Sequence, residues 1–340
     1  MTKRGNAHEK ITVIAEAGVN HNGDFTKAIE LIDIAADCGA DFIKFQTFKA
    51  TNLVSASADL AAYQATTTSY GNQLEMLTDL ELKYEWHQGL IEHAESKSIG
   101  FITTPFDVEA IAFLSQLKME LFKIPSGEIT NLPYLREISK LGKRVILSTG
   151  MANLGEIETS IEALTSNGLD RNKITLLHCT TEYPAPFQDV NLFAINTLKQ
   201  SFKISVGYSD HTEGIIIPIA ATAIGAKIIE KHITLDKNLP GPDHKASLEP
   251  EEFSEMVKAI RIIEKSLGDG VKKPSESEKK NIFIARKSIV ATKKIKKGEC
   301  FSEKNISLKR PGNGLSPTLW NFLIGKESKQ SYNKDDQIKL

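Results

Sequence analysis

A set of polar residues in this chain falls at the ends of short apolar runs, and their types suit chemistry better than packing. They are Glu16, Lys44, Gln46, Lys123, Glu128, Ser148, Tyr183, Ser209, His211, Glu230 and His232. Burying such groups unpaired costs about 1–7 kcal/mol each, so a chain keeps them inside only with partners or a task. Any single one reads equally well as half of a structural ion pair; the ensemble reads as a ligand site. Strand alternation puts Lys44 and Gln46 on one face, and Glu230 and His232 on another. His211 and His232, on neighbouring strand ends, offer two imidazoles to one divalent metal, with water or substrate oxygen completing the shell. They also read as a hydrogen-bonded histidine pair. A sparse two-histidine site with several open positions suits manganese, magnesium or cobalt. Lys123, Ser126, Ser148 and Ser209 suggest an anion site. Each serine adjoins a glycine or a helix start (PSGE, STGM, YSDH), where outward N–H groups favour negative charge. Ordinary serine N-capping is the competing reading for each.

Positioning these groups requires a scaffold that gathers many strand ends. Strand-like runs occur at 11–18, 41–48, 100–106, 121–128, 144–151, 173–180, 203–210 and 226–233, mostly short and rich in Ile, Val and Phe. Helical patterns separate them. In the last, Phe253, Met256, Val257, Ile260, Ile263 and Leu267 keep the spacing of one buried face, with Pro250 at the start and Gly268 just past the end. Strand–helix alternation repeated eight times predicts a parallel sheet closed into a (β/α)₈ barrel over residues 1–268. A doubly wound open sheet is the alternative, weakened by the lack of GxGxxG after the first strand. Residues 49–83 form a longer interval than a barrel loop needs, read as a lid over the mouth or an inert excursion. Residues 269–284 read as a charged linker. Residues 285–340, with Lys-Lys-Gly and Pro-Gly-Asn-Gly turns, read as a small β-rich domain with little core of its own.

Bulk properties narrow the function. Of 340 residues, 41% are hydrophobic and 25% charged, and the net charge of -1 gives no surface for nucleic acid or an anionic membrane. Cations for an anionic substrate must therefore be concentrated in a pocket. Cys38, Cys179 and Cys300 form no CxxC pair, which argues against a zinc knuckle or disulfide framework and suits a reducing cytoplasm. The polar N-terminal MTKRGNAHEK lacks the apolar stretch of a signal peptide, and no segment reads as a membrane span. The expected location is cytoplasmic.

The motifs AEAGVNHNG, KFQTFKA, KIPSGE, LSTGM, TTEYPAPF, GYSDHT, EKHITLDK and GPDHKASLEP, in order from residue 15 to 250, resemble the sialic acid synthase family. The tail ARKSIVATKKIKKGE…KRPGNG resembles that family's antifreeze-like domain (SAF, a β-clip), and the resemblance covers about residues 11–325. It implies a TIM barrel plus SAF domain, a domain-swapped homodimer, and condensation of phosphoenolpyruvate with an N-acetylmannosamine-type sugar and water to give a nonulosonic acid and phosphate. By motif position it implies metal ligation, usually of manganese, by His211 and His232. Lys123, Ser126, Ser148 and Ser209 would hold phosphoenolpyruvate, joined by Thr181, where some members carry Asn. Glu16, Lys44, Gln46, Glu128, Tyr183 and Asp243 would surround the sugar. Arg310, contributed by the partner subunit, would reach its N-acyl group. In that chemistry Glu16 stabilises the cation at C2 or takes a proton from attacking water.

Three other functions stand beside N-acetylneuraminate synthesis. The motifs fit N,N'-diacetyllegionaminate synthases, acting on 2,4-diacetamido-2,4,6-trideoxymannose, about as well. A Schiff-base aldolase or lyase would use Lys44 or Lys123. A sugar- or ice-binding scaffold rests on the tail alone, which has no regular threonine array.

Overall fold

Eight short parallel strands carry the polar set, and their pairing order places those residues around one axis. The computed structural model describes residues 10–117 and 119–340; the polar N-terminus discussed above falls mostly outside the described residues. The strands are β1 (Thr12–Gly18), β2 (Phe42–Thr47), β3 (Gly100–Pro105), β4 (Leu121–Ile124), β5 (Arg144–Ser148), β6 (Ile174–Cys179), β7 (Ser205–Asp210) and β8 (Ile228–His232). They hydrogen-bond in the order β3-β2-β1-β8-β7-β6-β5-β4, all parallel. β3 and β4 lie side by side without a paired register and complete the nearly closed barrel. Each expected strand is present, and helices intervene as the alternation predicted.

The inward faces form two layers, a direct result of the two-residue strand period. Ile14, Ile102, Ile146, Leu177 and Ile228, with Phe42 and Leu121 against them, make an apolar plug. Gly207 completes this level because a Cβ there would come within 2.6 Å of Leu177 and 2.5 Å of the Ile228 carbonyl. Two residues further along, the same strands present Glu16, Lys44, Thr104, Lys123, Ser148, Cys179, Ser209 and Glu230. The plug closes the barrel below, so these groups face only the C-terminal mouth.

The outward faces pack under the helices. Helix Pro250–Ser266 starts with a Glu249/Glu252 capping box and buries Phe253, Met256, Val257 and Ile260. Leu267, which the spacing adds to that face, is instead the exposed C-cap, because the helix ends there. The 49–83 interval holds three short helices, Ala50–Leu53, Ala62–Thr67 and Gln73–Asp79. Met76 and Leu80 pack with Val19 and Phe48, anchoring the interval beside β1 and β2.

Residues 269–340 form a separate compact unit. The segment expected as a linker carries helix Glu276–Ala285, started by a Ser275/Glu278 capping box. Antiparallel strands β9 (Ser288–Ala291) and β10 (Ile306–Lys309) follow. Ile289, Ala291, Ile295, Phe301, Ile306, Leu323, Tyr332 and Ile338 are all buried together, so the unit has more core than its composition suggested. Among the described residues, no helix is long and apolar enough to cross a membrane.

Candidate active site

At the centre of the mouth two carboxylates and two ammonium groups share one buried site. Lys44 Nζ lies 2.6 Å from Glu16 Oε2 and 3.8 Å from Glu230 Oε2, while Lys123 Nζ lies 3.5 Å from Glu230 Oε1. Gln46 Nε2 donates to Glu16 Oε1 at 3.2 Å, Ser209 Oγ donates to Glu230 Oε1 at 2.9 Å, and Lys44 Nζ donates to Thr104 Oγ1 at 3.2 Å. Burial dominates the titration of Glu16 and lifts it to about 7, with Lys44 opposing. Burial also pushes Glu230 upward, but Lys123 and Lys44 outweigh it and hold the carboxyl below its ordinary value. Lys44 is raised, since attraction to Glu16 and Glu230 exceeds the effect of burial; Lys123 is lowered, chiefly by burial. The two carboxylates thus take different roles, one ionised and one poised near neutrality.

The two histidines stand on the rim of this quartet. His211 and His232 rings are 5.6 Å apart, and Tyr183 stacks on His211 at 4.1 Å. His211 Nδ1 donates to the Thr180 carbonyl at 2.7 Å, which leaves Nε2 as the ring's acceptor. Among the described residues His232 Nδ1 is buried with no hydrogen-bond partner, 3.9 Å from Asp243 Oδ2. Burial pulls His211 down to about 4 and His232 well below its ordinary value, so both rings are neutral. Burial lifts Asp243 to about 6, opposed by Lys44. Two neutral imidazoles with available nitrogens suit a cation. Among the described residues, no three His, Cys, Asp or Glu side chains converge to hold a metal by protein ligands alone.

The serine cluster opens onto the same cavity of about 440 Å³, which Glu16, Lys44, Gln46, Lys123, Ser126, Ser148, Thr181, Tyr183, Ser209, His211 and His232 all line. Ser126 Oγ accepts from Gly150 N–H at 3.0 Å and lies 3.2 Å from Cys179 Sγ. Among the described residues, Ser148 Oγ is buried with no hydrogen-bond partner, an arrangement with room for an acceptor from a ligand. Gly150 permits this close approach: a Cβ there would fall 2.3 Å from Thr181 Oγ1 and 2.8 Å from Ser126 Oγ.

Two expected barrel residues do not line the cavity: Asp243, which lies beside His232, and Glu128. Glu128 is not on the cavity wall, because β4 ends at Ile124 and the chain turns through Ser126–Glu128. Its carboxylate accepts from Asn131 Nδ2 at 2.6 Å. Arg310 belongs to the second unit, where its Nε donates to the Ala285 carbonyl at 3.1 Å. Conversely, Glu230 is the hub of the quartet, though its sequence signal was only membership of the polar set. Thr104, Cys179 and Gln73, the last from the 49–83 interval, also line the cavity. Gln73 agrees with that interval reaching the mouth.

A model of the NeuB family matches residues 31–272, most of the barrel. The chain belongs to the NeuB family. A SAF domain matches residues 286–340. This NeuB-family chain is 58% identical to the N,N'-diacetyllegionaminic acid synthase of Campylobacter jejuni, over 97% of its own length and 99% of the relative's. It is 36% identical to a pseudaminic acid synthase of the same species, covering 98% and 97% of the two chains. Among solved structures it resembles the N-acetylneuraminic acid synthetase of Leptospira borgpetersenii in complex with citrate. That match has a TM-score of 0.73 at 36% identity, over 83% of this chain and 94% of the other. NeuB membership makes the chain an enzyme of the acid-synthase type, with the expected barrel and SAF domain. The relatives act toward different acids, so the acceptor sugar is a finer matter than the family.

Proposed function

We propose that this NeuB-family enzyme condenses phosphoenolpyruvate with an N-acylated mannosamine-type sugar and water, yielding a nonulosonic acid and phosphate. The observation that carries the reading is the Glu16–Lys44–Glu230–Lys123 quartet beside two neutral histidines at a barrel mouth. The sequence motifs weigh N-acetylmannosamine and 2,4-diacetamido-2,4,6-trideoxymannose about evenly; 58% identity over nearly the whole chain to a legionaminic acid synthase, against 36% to a pseudaminic one, favours the diacetamido sugar.

In this reading Lys123, Ser126, Ser148 and Ser209 bind the phosphate and carboxylate of phosphoenolpyruvate. Gln46, Tyr183 and Asp243 orient the sugar so that its aldehyde carbon meets C3 of the enol. The new C–C bond leaves positive charge at C2. The Glu16 carboxylate stabilises that charge and accepts a proton from the water that adds there. That proton balances the one taken up by the former aldehyde oxygen as it becomes a hydroxyl. The C–O bond to phosphate then breaks as the C2 hydroxyl loses its proton to the departing phosphate, which Lys123 holds. A divalent cation, manganese by preference, with magnesium or cobalt as substitutes, fits His211 and His232 and would supply Lewis-acid polarisation of the aldehyde. We further propose a cytoplasmic, domain-swapped homodimer in which Arg310 serves the partner's sugar site.

The test is phosphate release from phosphoenolpyruvate and manganese, with the diacetamido sugar and N-acetylmannosamine offered side by side. Turnover abolished by EDTA, with preference for the diacetamido sugar, is expected. Preference for N-acetylmannosamine would reverse the acceptor assignment. No release from either sugar by folded, metal-loaded protein would overturn the reading.

A further inference from the structure

Behind the two histidines lies a charge pair that the chemistry above does not use. Asp210 and Lys231 are each 0% exposed, and Lys231 Nζ lies 2.7 Å from Asp210 Oδ2. Strand alternation sends Ser209, His211, Glu230 and His232 to the mouth, and Asp210 and Lys231 to the opposite face, beneath the helices. The β7–β8 register pairs Ser209 with Glu230 and Asp210 with Lys231. The next residues in the chain are His211 and His232, whose rings lie 5.6 Å apart.

The pair also grips the chain on both sides of His211. Asp210 Oδ1 accepts from Thr212 N–H at 3.2 Å, from Thr212 Oγ1 at 2.9 Å and from Tyr208 OH at 3.0 Å. Lys231 Nζ donates to the Thr212 carbonyl as well as to Asp210. The residues flanking His211 are therefore tied to the residue preceding His232. A shift of either histidine's backbone would break a buried charge contact. Stability alone is a weak reason to keep such a pair, since well-packed apolar replacements are often neutral or stabilising.

We propose that the buried Asp210–Lys231 pair is a positioning device that fixes the separation of His211 and His232, and with it the site's affinity for a divalent cation. It rests on the two-histidine reading given under the proposed function. Groups hydrogen-bonded directly to metal ligands typically change affinity about 10- to 100-fold when removed. This pair acts one link further out, through the backbone on either side of His211, so the lower end of that range is the expected effect.

The test compares the wild-type protein with Asp210→Asn/Lys231→Met, which removes both charges together and keeps side-chain bulk. Manganese binding is read from the free-ion paramagnetic resonance signal, phosphoenolpyruvate binding from calorimetry without metal, and folding from thermal unfolding. Manganese affinity is expected to fall about tenfold. Phosphoenolpyruvate affinity should stay within about twofold, with cooperative unfolding retained. Unchanged manganese affinity, or equal weakening of both ligands, would overturn the positioning role. A wild-type protein that binds no manganese would instead remove the two-histidine reading, and this inference with it. Lys231→Met alone leaves Asp210 buried and unpaired; should it fail to fold, the double variant still decides.

Discussion

Replacing Glu16 with glutamine should separate its proton chemistry from its place in the packing. Glutamine keeps the shape and can still meet Gln46 Nε2, while Lys44 retains Glu230 at 3.8 Å and Thr104 at 3.2 Å. The carboxylate in the wild type titrates at about 7, raised chiefly by burial. A group with that value is roughly one-tenth ionised at pH 6 and nine-tenths at pH 8. If the ionised form is required, kcat/KM rises about tenfold across that interval, because this ratio reports the free enzyme. Loss of a positioned general base lowers rate by about 10²–10⁴, equivalent to about 3–5 kcal/mol in the barrier. The assay is phosphate release from pH 5.5 to 9 for wild type and Glu16→Gln, with phosphoenolpyruvate affinity measured in parallel. The variant should lose the limb near pH 7 and fall by that factor, while binding phosphoenolpyruvate within a few-fold. Activity within threefold of wild type, or an unchanged limb, would refute the assignment.

Lys123→Met should raise the KM for phosphoenolpyruvate by about 10- to 100-fold, the worth of a charged contact of about 1.5–3 kcal/mol. Steady-state phosphate release at saturating sugar measures it, and an unchanged KM would move the anion site elsewhere. Gly150→Ala must displace Thr181 Oγ1 and Ser126 Oγ, which stand 2.3 and 2.8 Å from the new Cβ. It should weaken phosphoenolpyruvate binding by about tenfold, on the order of one good hydrogen bond, with cooperative unfolding preserved. Normal binding would show that the Ser126 hydroxyl is dispensable.

Most of the strands were legible because an inward apolar residue is followed two positions on by a polar one. Ile14 and Glu16, Ile146 and Ser148, and Ile228 and Glu230 all follow that pattern. The hub role of Glu230 was not legible. Lys44 on β2 and Lys123 on β4 reach it across the closed barrel, and no sequence spacing encodes that convergence. Glu128 lies beyond the strand that alternation assumed for it, because β4 ends at Ile124 and the chain then turns through Ser126–Glu128. The helix at Glu276–Ala285 had a readable Ser275/Glu278 cap, but its charged composition looked like a linker. Asp243 lies in the loop after β8, outside any strand periodicity, and only the family resemblance singled it out.

The quartet at the mouth has a consequence for proton linkage. Its two carboxylates and two ammonium groups nearly cancel, so an arriving anion meets little surplus positive charge. The least costly compensation is a proton on Glu16, already poised at about 7. Anion binding therefore couples to proton uptake and weakens as pH rises above neutrality, while turnover asks for that proton to leave. In the loaded enzyme the midpoint for kcat shifts upward from that for kcat/KM, and the distance between them reads how strongly the mouth couples its ligand to one proton.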